Sequence, residues 1–480
     1  MNKNIDKIIV QITLVLFPFT FVFLRILFLT NYNFTYTLDD PYIHLALAKN
    51  IWLGTYGINI GEVSAPSSSI LWPFLLTPFF VMGKFFEFAP LLINLCCLSV
   101  LAHIINLIFS DIKLSLRLIL IALIFISLNV YGLVFTGMEH SLQILLVAVI
   151  LLPFIRKSHN YFSEGIMPFY AMVSLILLPL VRYEGLAISV PIILYIFMAG
   201  EKKKSCIAML LLILLMGVFS FFLYSNGLGI MPSSVLSKSS FSNLRLILDN
   251  FSNNLNNYGF MFIPVIAILI FFWKTDKIWC FVILTVTCLH FFFGKFGWFG
   301  RYENYYLFFI ILIGIRLLIS FRKNTLYIIC FLPFMFVSLV APIFLTPLAA
   351  SNIYHQQAQT AQIALMLNEP VAVNDLGLVA LRSGQYVLDL WGLGSIEALR
   401  YRTTSINTDW LNILMEKKHI KYAFIYDSWF PQKPANWIKV AELRLQEPRI
   451  TPASDTVTLY AVGLAKAEKL QGVLREYSEK

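Results

Sequence analysis

About eleven apolar runs, separated by short polar or basic stretches, dominate this chain. The first, residues 8–29, is long enough to cross a bilayer core of about 30 Å. Further runs at 88–109, 118–135, 138–155, 167–181, 185–198, 206–224, 258–273, 278–293, 305–320 and 326–345 read as spans as well. Composition agrees: 59% of the residues are hydrophobic and 13% charged, where a soluble chain carries about a quarter charged residues. Mean hydropathy is +0.76. The fold class expected is a polytopic α-helical membrane protein, with length to spare for a soluble domain. Lys3 and Lys7 precede a first run that is too long for a cleaved signal, carries Arg25 near its end and lacks a small-residue cleavage site, so it reads as an uncleaved anchor. The six cysteines (Cys96, Cys97, Cys206, Cys280, Cys288, Cys330) lie in apolar segments without metal-ligand spacing and read as packing residues.

Charge orders the spans. Residues 69–82 form a twelfth apolar run, and if it is re-entrant or interfacial, one side of the membrane receives Lys113, Arg117, Arg156, Lys157, Lys202, Lys203, Lys204, Lys274, Lys277, Arg322 and Lys323. Together with the N-terminus this is the basic, cytoplasmic side. The arrangement expected is a transmembrane domain over 1–350 with a first outer loop at 30–70, and an extracytoplasmic domain over 351–480. The net charge of +10 is spread over loops rather than gathered into a stripe with aromatics, which excludes nucleic acid as the partner.

Asp39 and Asp40 follow the first span, where paired negative charge has no structural use in a membrane protein. Asp40 precedes Pro41 and an apolar stretch, so it reads as a helix N-cap, while Asp39 is left without a capping task. His44 stands one helical turn after Asp40, on the same side. The other outer loops hold Glu139 and His140, Arg182 and Glu184, residues 232–238 ending in Lys238, and Arg301 with Glu303. Singly, Glu139 suits a helix N-terminus, Arg182 and Glu184 a turn ion pair, and Lys238 a solvated loop. Their convergence on one face is not explained that way. Bases on the outer side run against the positive-inside bias, and a bound anion accounts for them.

These residues resemble the large multispanning glycosyltransferases of the GT-C class, which use polyprenyl-phosphate-linked sugars, with the terminal arabinofuranosyltransferase type the closest in look. The resemblance is carried by DDPYIHLALAKNIWLGTYGINIGEVSAPSSSILW at 39–72, TGMEHSL at 136–142, VRYEG at 181–185, MPSSVLSK at 231–238 and GRYENYYL at 300–307. Tyr183, Ser233 and Ile70 stand where that pattern has proline, asparagine and proline. The resemblance implies an inverting transfer of a sugar from a polyprenyl-phosphate donor to a hydroxyl on a cell-envelope glycan, lipid or protein, in the cytoplasmic (inner) membrane. Asp39 would be the general base, with Asp40 and His44 orienting it or the acceptor. Arg182, Lys238 and Arg301 would neutralise the donor phosphate, and Glu139, His140, Glu184 and Glu303 would support them. A divalent cation could bridge acids and phosphate, but no metal is expected to be obligatory. A transporter or flippase for a lipid-linked sugar is the alternative, although His103, Asn94 and Asn106 are few polar groups for a pathway. An envelope scaffold would explain the tail but not the double acid.

From residue 351 the composition becomes that of a soluble α/β domain. A helix is expected over 353–367, strands over 371–373, 386–390, 421–426, 437–443 and 456–462, and a closing helix over 463–476. Asp375 follows the first strand and Asp389 lies near the end of the second, each with a glycine shortly after it. Such acids are common site positions in α/β sheets but also cap the next turn, and the turn reading is taken for both. The resemblance implies that this tail covers the site or holds acceptor glycan.

Overall fold

The computed structural model describes residues 3–156, 167–238, 244–274, 277–320, 340–404 and 409–479, which are mostly helical. Among the described residues, four helical stretches have the length and apolar composition to cross a membrane: Asn4–Leu29, Leu71–Ile108, Lys202–Ser225 and Leu244–Ile270. Six shorter apolar helices accompany them: Leu114–Ser127, His140–Ile155, Phe169–Val181, Tyr183–Met198, Lys277–Phe293 and Asn304–Gly314. In both Asn4–Leu29 and Lys202–Ser225 only 22% of the apolar window is buried. Side chains such as Phe17, Phe21, Phe28, Leu210, Ile213 and Phe221 are turned outward. Exposed apolar faces of this size mark contact with lipid or a partner rather than with water, and the chain is read as a membrane protein. Of the spans expected from sequence, the part of 326–345 before residue 340 lies outside the described residues.

The chain divides into two compact units. The first combines Met1–Val22, Leu91–Phe219 and Ser239–Phe344. In it the His140–Arg156 helix packs against Phe169–Val181 and Asn304–Ser320, and Lys277–Phe293 packs against Leu186–Met198 and Leu244–Tyr258. The run expected as one span at 118–135 is two helices, Leu114–Ser127 and Val130–Phe135, broken at Asn129, whose φ of 48° is left-handed. Asparagine tolerates that region better than most residues. Its amide donates to the Phe299 carbonyl at 3.1 Å, and Asn94 donates to the Met138 carbonyl at 3.0 Å, so side-chain amides satisfy carbonyls that lie outside the helices. Leu244–Tyr258, an asparagine-rich helix for which the apolar runs gave no sign, uses Asn250 and Asn254 to donate to the carbonyls of Phe292 and Phe291 that end the neighbouring helix.

The second unit combines Phe23–Pro90, Ser220–Lys238 and Leu345–Lys480. The first loop and the C-terminal domain, which the sequence reading put on either side of a boundary near residue 350, thus fold together. Five strands, β1 Val371–Val373, β2 Val387–Asp389, β3 Tyr422–Ile425, β4 Trp437–Arg444 and β5 Thr456–Val462, form one sheet in the order β2-β1-β3-β5-β4. β1 is parallel to β2 and β3, while β5 is antiparallel to β3 and β4. β1, β2 and β3 are buried throughout, as unbroken apolar strands covered on both faces should be. The loop is fastened by specific polar bonds. Asn59 exchanges two hydrogen bonds with the Val387 backbone, each 2.9 Å, Glu62 accepts from Tyr386 at 2.6 Å, and Arg382 grips Glu87 with two nitrogens. The Asp40–Trp52 helix packs on the Gly377–Arg382 helix. Ser233, at the start of the Ser233–Lys238 helix, donates its backbone N–H to the Ala65 carbonyl at 3.1 Å.

Candidate functional site

In the second unit the double acid sits against the carboxyl ends of two strands. The helix within the first loop begins at Asp40 itself, with Pro41 the second helical residue, and Asp39 holds the cap position without bonding its side chain to that helix. Both Asp39 carboxyl oxygens instead accept backbone N–H groups of a distant helix, from Gly377 and, at 2.9 Å, from Leu378. The capping roles expected of the two acids are therefore corrected: Asp39 does cap, but a helix 338 residues on. Only glycine fits the facing position, since a Cβ on Gly377 would stand 2.1 Å from the Asp39 carbonyl oxygen.

Beside Asp39 lies Asp375, the second residue after β1, in hydrogen-bonding contact with it. Asp375 Oδ2 accepts from the Tyr426 hydroxyl at 2.7 Å and the Gln357 amide at 2.8 Å, and Asn374 Oδ1 accepts from the Tyr426 backbone at 2.6 Å. Asp39 is buried, while Asp40 and Asp375 are partly exposed. Burial, the Asp375 charge and the Asp40 charge push the Asp39 carboxyl well above the usual carboxylate range, against the pull of its two backbone donors. Asp375 is raised too, first by burial and further by Asp40. The turn reading fails for Asp375, which bonds across the sheet, and holds for Asp389. Asp389 accepts from Trp391 N at 2.8 Å and Gly394 N at 2.7 Å, with burial lifting its carboxyl to about 6. His44 is buried on the Asp40–Trp52 helix. The backbone of Lys238 ends the Ser233–Lys238 helix, and its side chain lies outside what the structure describes.

The first unit gathers the remaining candidates. Pro179 lies in the last turn of the Phe169–Val181 helix, Arg182 is extended, and a short turn over Tyr183–Gly185 leads into Leu186–Met198. A Cβ on Gly185 would meet the Leu178 backbone at 2.7 Å, so the turn closes only with glycine there. The buried Arg182 guanidinium bonds Glu139 Oε1 at 2.8 Å and takes Glu184 in a two-pronged grip at 2.8 and 3.2 Å. Tyr302 collects the other members. Its ring faces the Arg182 guanidinium at 5.5 Å and that of Arg301 at 4.9 Å, its hydroxyl accepts from Arg301 at 3.0 Å, and the His140 ring stands edge-on to it at 6.4 Å. Glu303 accepts the Gly297 N–H at 3.0 Å, and burial lifts its carboxyl to about 7. Sequence reasoning found Glu139, His140, Arg182, Glu184, Arg301 and Glu303 and missed Tyr302, although it lies inside the GRYENYYL stretch.

A family model described as a domain of unknown function, DUF8728, matches residues 351–460. That match covers β1 to β4 and most of β5, with Asp375, Asp389 and Tyr426, and carries no activity with it. Among curated proteins nothing matches the chain.

Proposed function

We propose that this chain is an inverting, GT-C-like membrane glycosyltransferase that moves a sugar from a polyprenyl-phosphate donor to a hydroxyl of a cell-envelope glycan, lipid or protein at the outer face of the cytoplasmic membrane. The reading keeps about eleven spans, an interfacial stretch near 69–82 and an extracytoplasmic C-terminal domain. One observation carries it: Asp39, in the loop after the first span, is held by two backbone N–H groups beside a second carboxyl, in surroundings that make it more basic than an ordinary carboxylate. A general base for a hydroxyl acceptor needs that property. The acceptor O–H proton passes to Asp39 as its oxygen bonds the anomeric carbon, and the bond from that carbon to the phosphate oxygen breaks with its electron pair going to phosphate.

Chemistry assigns the phosphate to the arginine group. Arg182 is already balanced by Glu139 and Glu184, so its task is to hold that group's shape, and Arg301, stacked over Tyr302, is the base that meets the phosphate. The sidedness draws support from Arg117, which bonds Asp6 at 2.8 Å and so brings the loop holding Lys113 to the same end as the N-terminus. The test is incorporation of labelled sugar from a synthetic polyprenyl-phosphate donor by the full-length protein purified in detergent. Transfer that is present in wild type and lost in Asp39→Asn is expected. No transfer from any such donor would discard the reading in favour of carriage of a lipid-linked sugar, and transfer indifferent to Asp39 would remove the double acid from the mechanism.

A further inference from the structure

The sheet order places one crevice apart from the rest. The chain leaves β1 for β2 on one side and then returns past β1 to β3 on the other, so β1 and β3 flank the switch point of the parallel part. In open α/β sheets ligands bind outside the carboxyl ends of the strands at such a point. Here those ends supply Asn374 and Asp375 after β1 and Tyr426 after β3, and the first loop sets Asp39 against them.

Two carboxyls in hydrogen-bonding contact cannot both be ionised, because an ionised carboxylate only accepts. The donors bonded to this pair are the backbone N–H groups of Gly377 and Leu378, the Gln357 amide and the Tyr426 hydroxyl, none of which carries a charge. Among the described residues, the titratable groups that act on the pair are Asp40 and Tyr42 from the loop side and Tyr426 from the sheet, and none of these is a cation. A second observation points to a ligand beside the pair. Gln357 Oε1 and Asn374 Nδ2 belong to side chains more than nine-tenths buried, and neither atom has a partner among the described residues. One acceptor and one donor left over beside a carboxyl pair suit a hydroxyl-bearing acceptor.

We infer that Asp375, supplied by the C-terminal domain, is the positioning residue for Asp39: the two carboxyls hold one proton between them, Asp375 bearing it while Asp39 takes the proton of the acceptor hydroxyl. This rests on the glycosyltransferase reading for its last step only. Burial and mutual repulsion, which raise both carboxyls, act in the same sense. The C-terminal domain is thereby part of the reaction site rather than an appended module.

Infrared difference spectra of the full-length protein in detergent at neutral pH test the pair directly. Wild type minus Asp375→Asn and wild type minus Asp39→Asn should each show the loss of one protonated-carboxyl stretch at the same frequency, since the carboxyl left behind no longer has its partner's like charge to hold the proton. The protonated fractions of Asp389 and Glu303 cancel in both spectra. In the transfer assay, Asp375→Asn should lower kcat with KM for the donor unchanged, by less than the roughly hundredfold expected for losing the base itself. Melting temperatures check that both variants fold. A stretch that survives in either variant, or a normal kcat for Asp375→Asn where Asp39→Asn is dead, overturns the inference. If wild type transfers no sugar, the glycosyltransferase reading falls alone, and the spectra still decide whether the pair shares a proton.

Discussion

The two polar groups of this protein bury charge by opposite means. Around Arg182, positive and negative side chains meet directly, with Glu139 and Glu184 both within 2.8 Å of the guanidinium. Around Asp39, like charges meet, and the hydrogen-bond donors they receive from the described residues are neutral: two backbone N–H groups, an amide and a phenol. An ion cluster of the first kind is stiff, because each member needs the other's charge. A carboxyl pair of the second kind holds or gives up a proton at little structural cost. In the proposed reading, proton transfer falls to the carboxyl pair and anion recognition to the arginine group.

The largest test is to break the ion cluster. Arg182→Ala leaves two carboxylates without their cation, one of them fully buried, and should destabilise the protein by about 3–5 kcal/mol, read as a lowered melting temperature in detergent. A loss of donor affinity with an unchanged melt would instead make Arg182 a phosphate ligand. Next comes the acid pair. Asp39→Asn keeps one of the two acceptors that hold Gly377 and Leu378 and should keep the fold, while cutting transfer at least about a hundredfold. Asp40→Asn should do less, and the reverse order would exchange the two roles.

Asp389 offers a control within the same sheet, an acid at a strand end that only caps a turn. Its carboxyl is raised to about 6 by burial, so the neutral form is favoured in the folded state. Its contribution is present in full at low pH and is lost as pH rises through about 6. Asp389→Asn should remove a pH dependence of stability on the order of 2–3 kcal/mol between pH 4 and pH 8, with transfer at neutral pH unaltered. Thermal melts across that range measure it, and altered transfer would blur the contrast with Asp375. The smallest of these effects belongs to Arg301→Ala, which should weaken donor binding by about 1.5–3 kcal/mol, the range for a lost charged hydrogen bond. Exposed Lys295→Ala serves as its control. Equal effects of the two would remove phosphate binding from Arg301.

Much of the fold was legible along the chain. All five strands appear within a residue or two of where short β-rich runs between turn residues put them, and the closing helix runs Leu464–Ser478. The acids and bases of the candidate site were legible as residues out of place. Asp375 and Asp389 show where this reading stops. Both stand at the carboxyl end of a strand and close to a glycine, so local sequence treats them alike. One caps its own turn and the other bonds Tyr426, Gln357 and Asp39.

Periodicity, apolar length, turn chemistry and the unusual presence of charge beside a membrane span are properties of neighbours in the chain, and the sequence by itself determined them. Which donors reach a carboxylate is decided otherwise. Asp39 finds its partners 338 residues away, and Arg182 finds Glu139 at a separation of 43. Only the packing of the first loop on the sheet, and of the His140–Arg156 helix on Phe169–Val181, brings those groups within bonding distance. Burial then forces the choice, because a charge withdrawn from water must be paired, solvated by fixed dipoles or neutralised by a proton. Which of the three it receives depends on what the tertiary structure has set beside it.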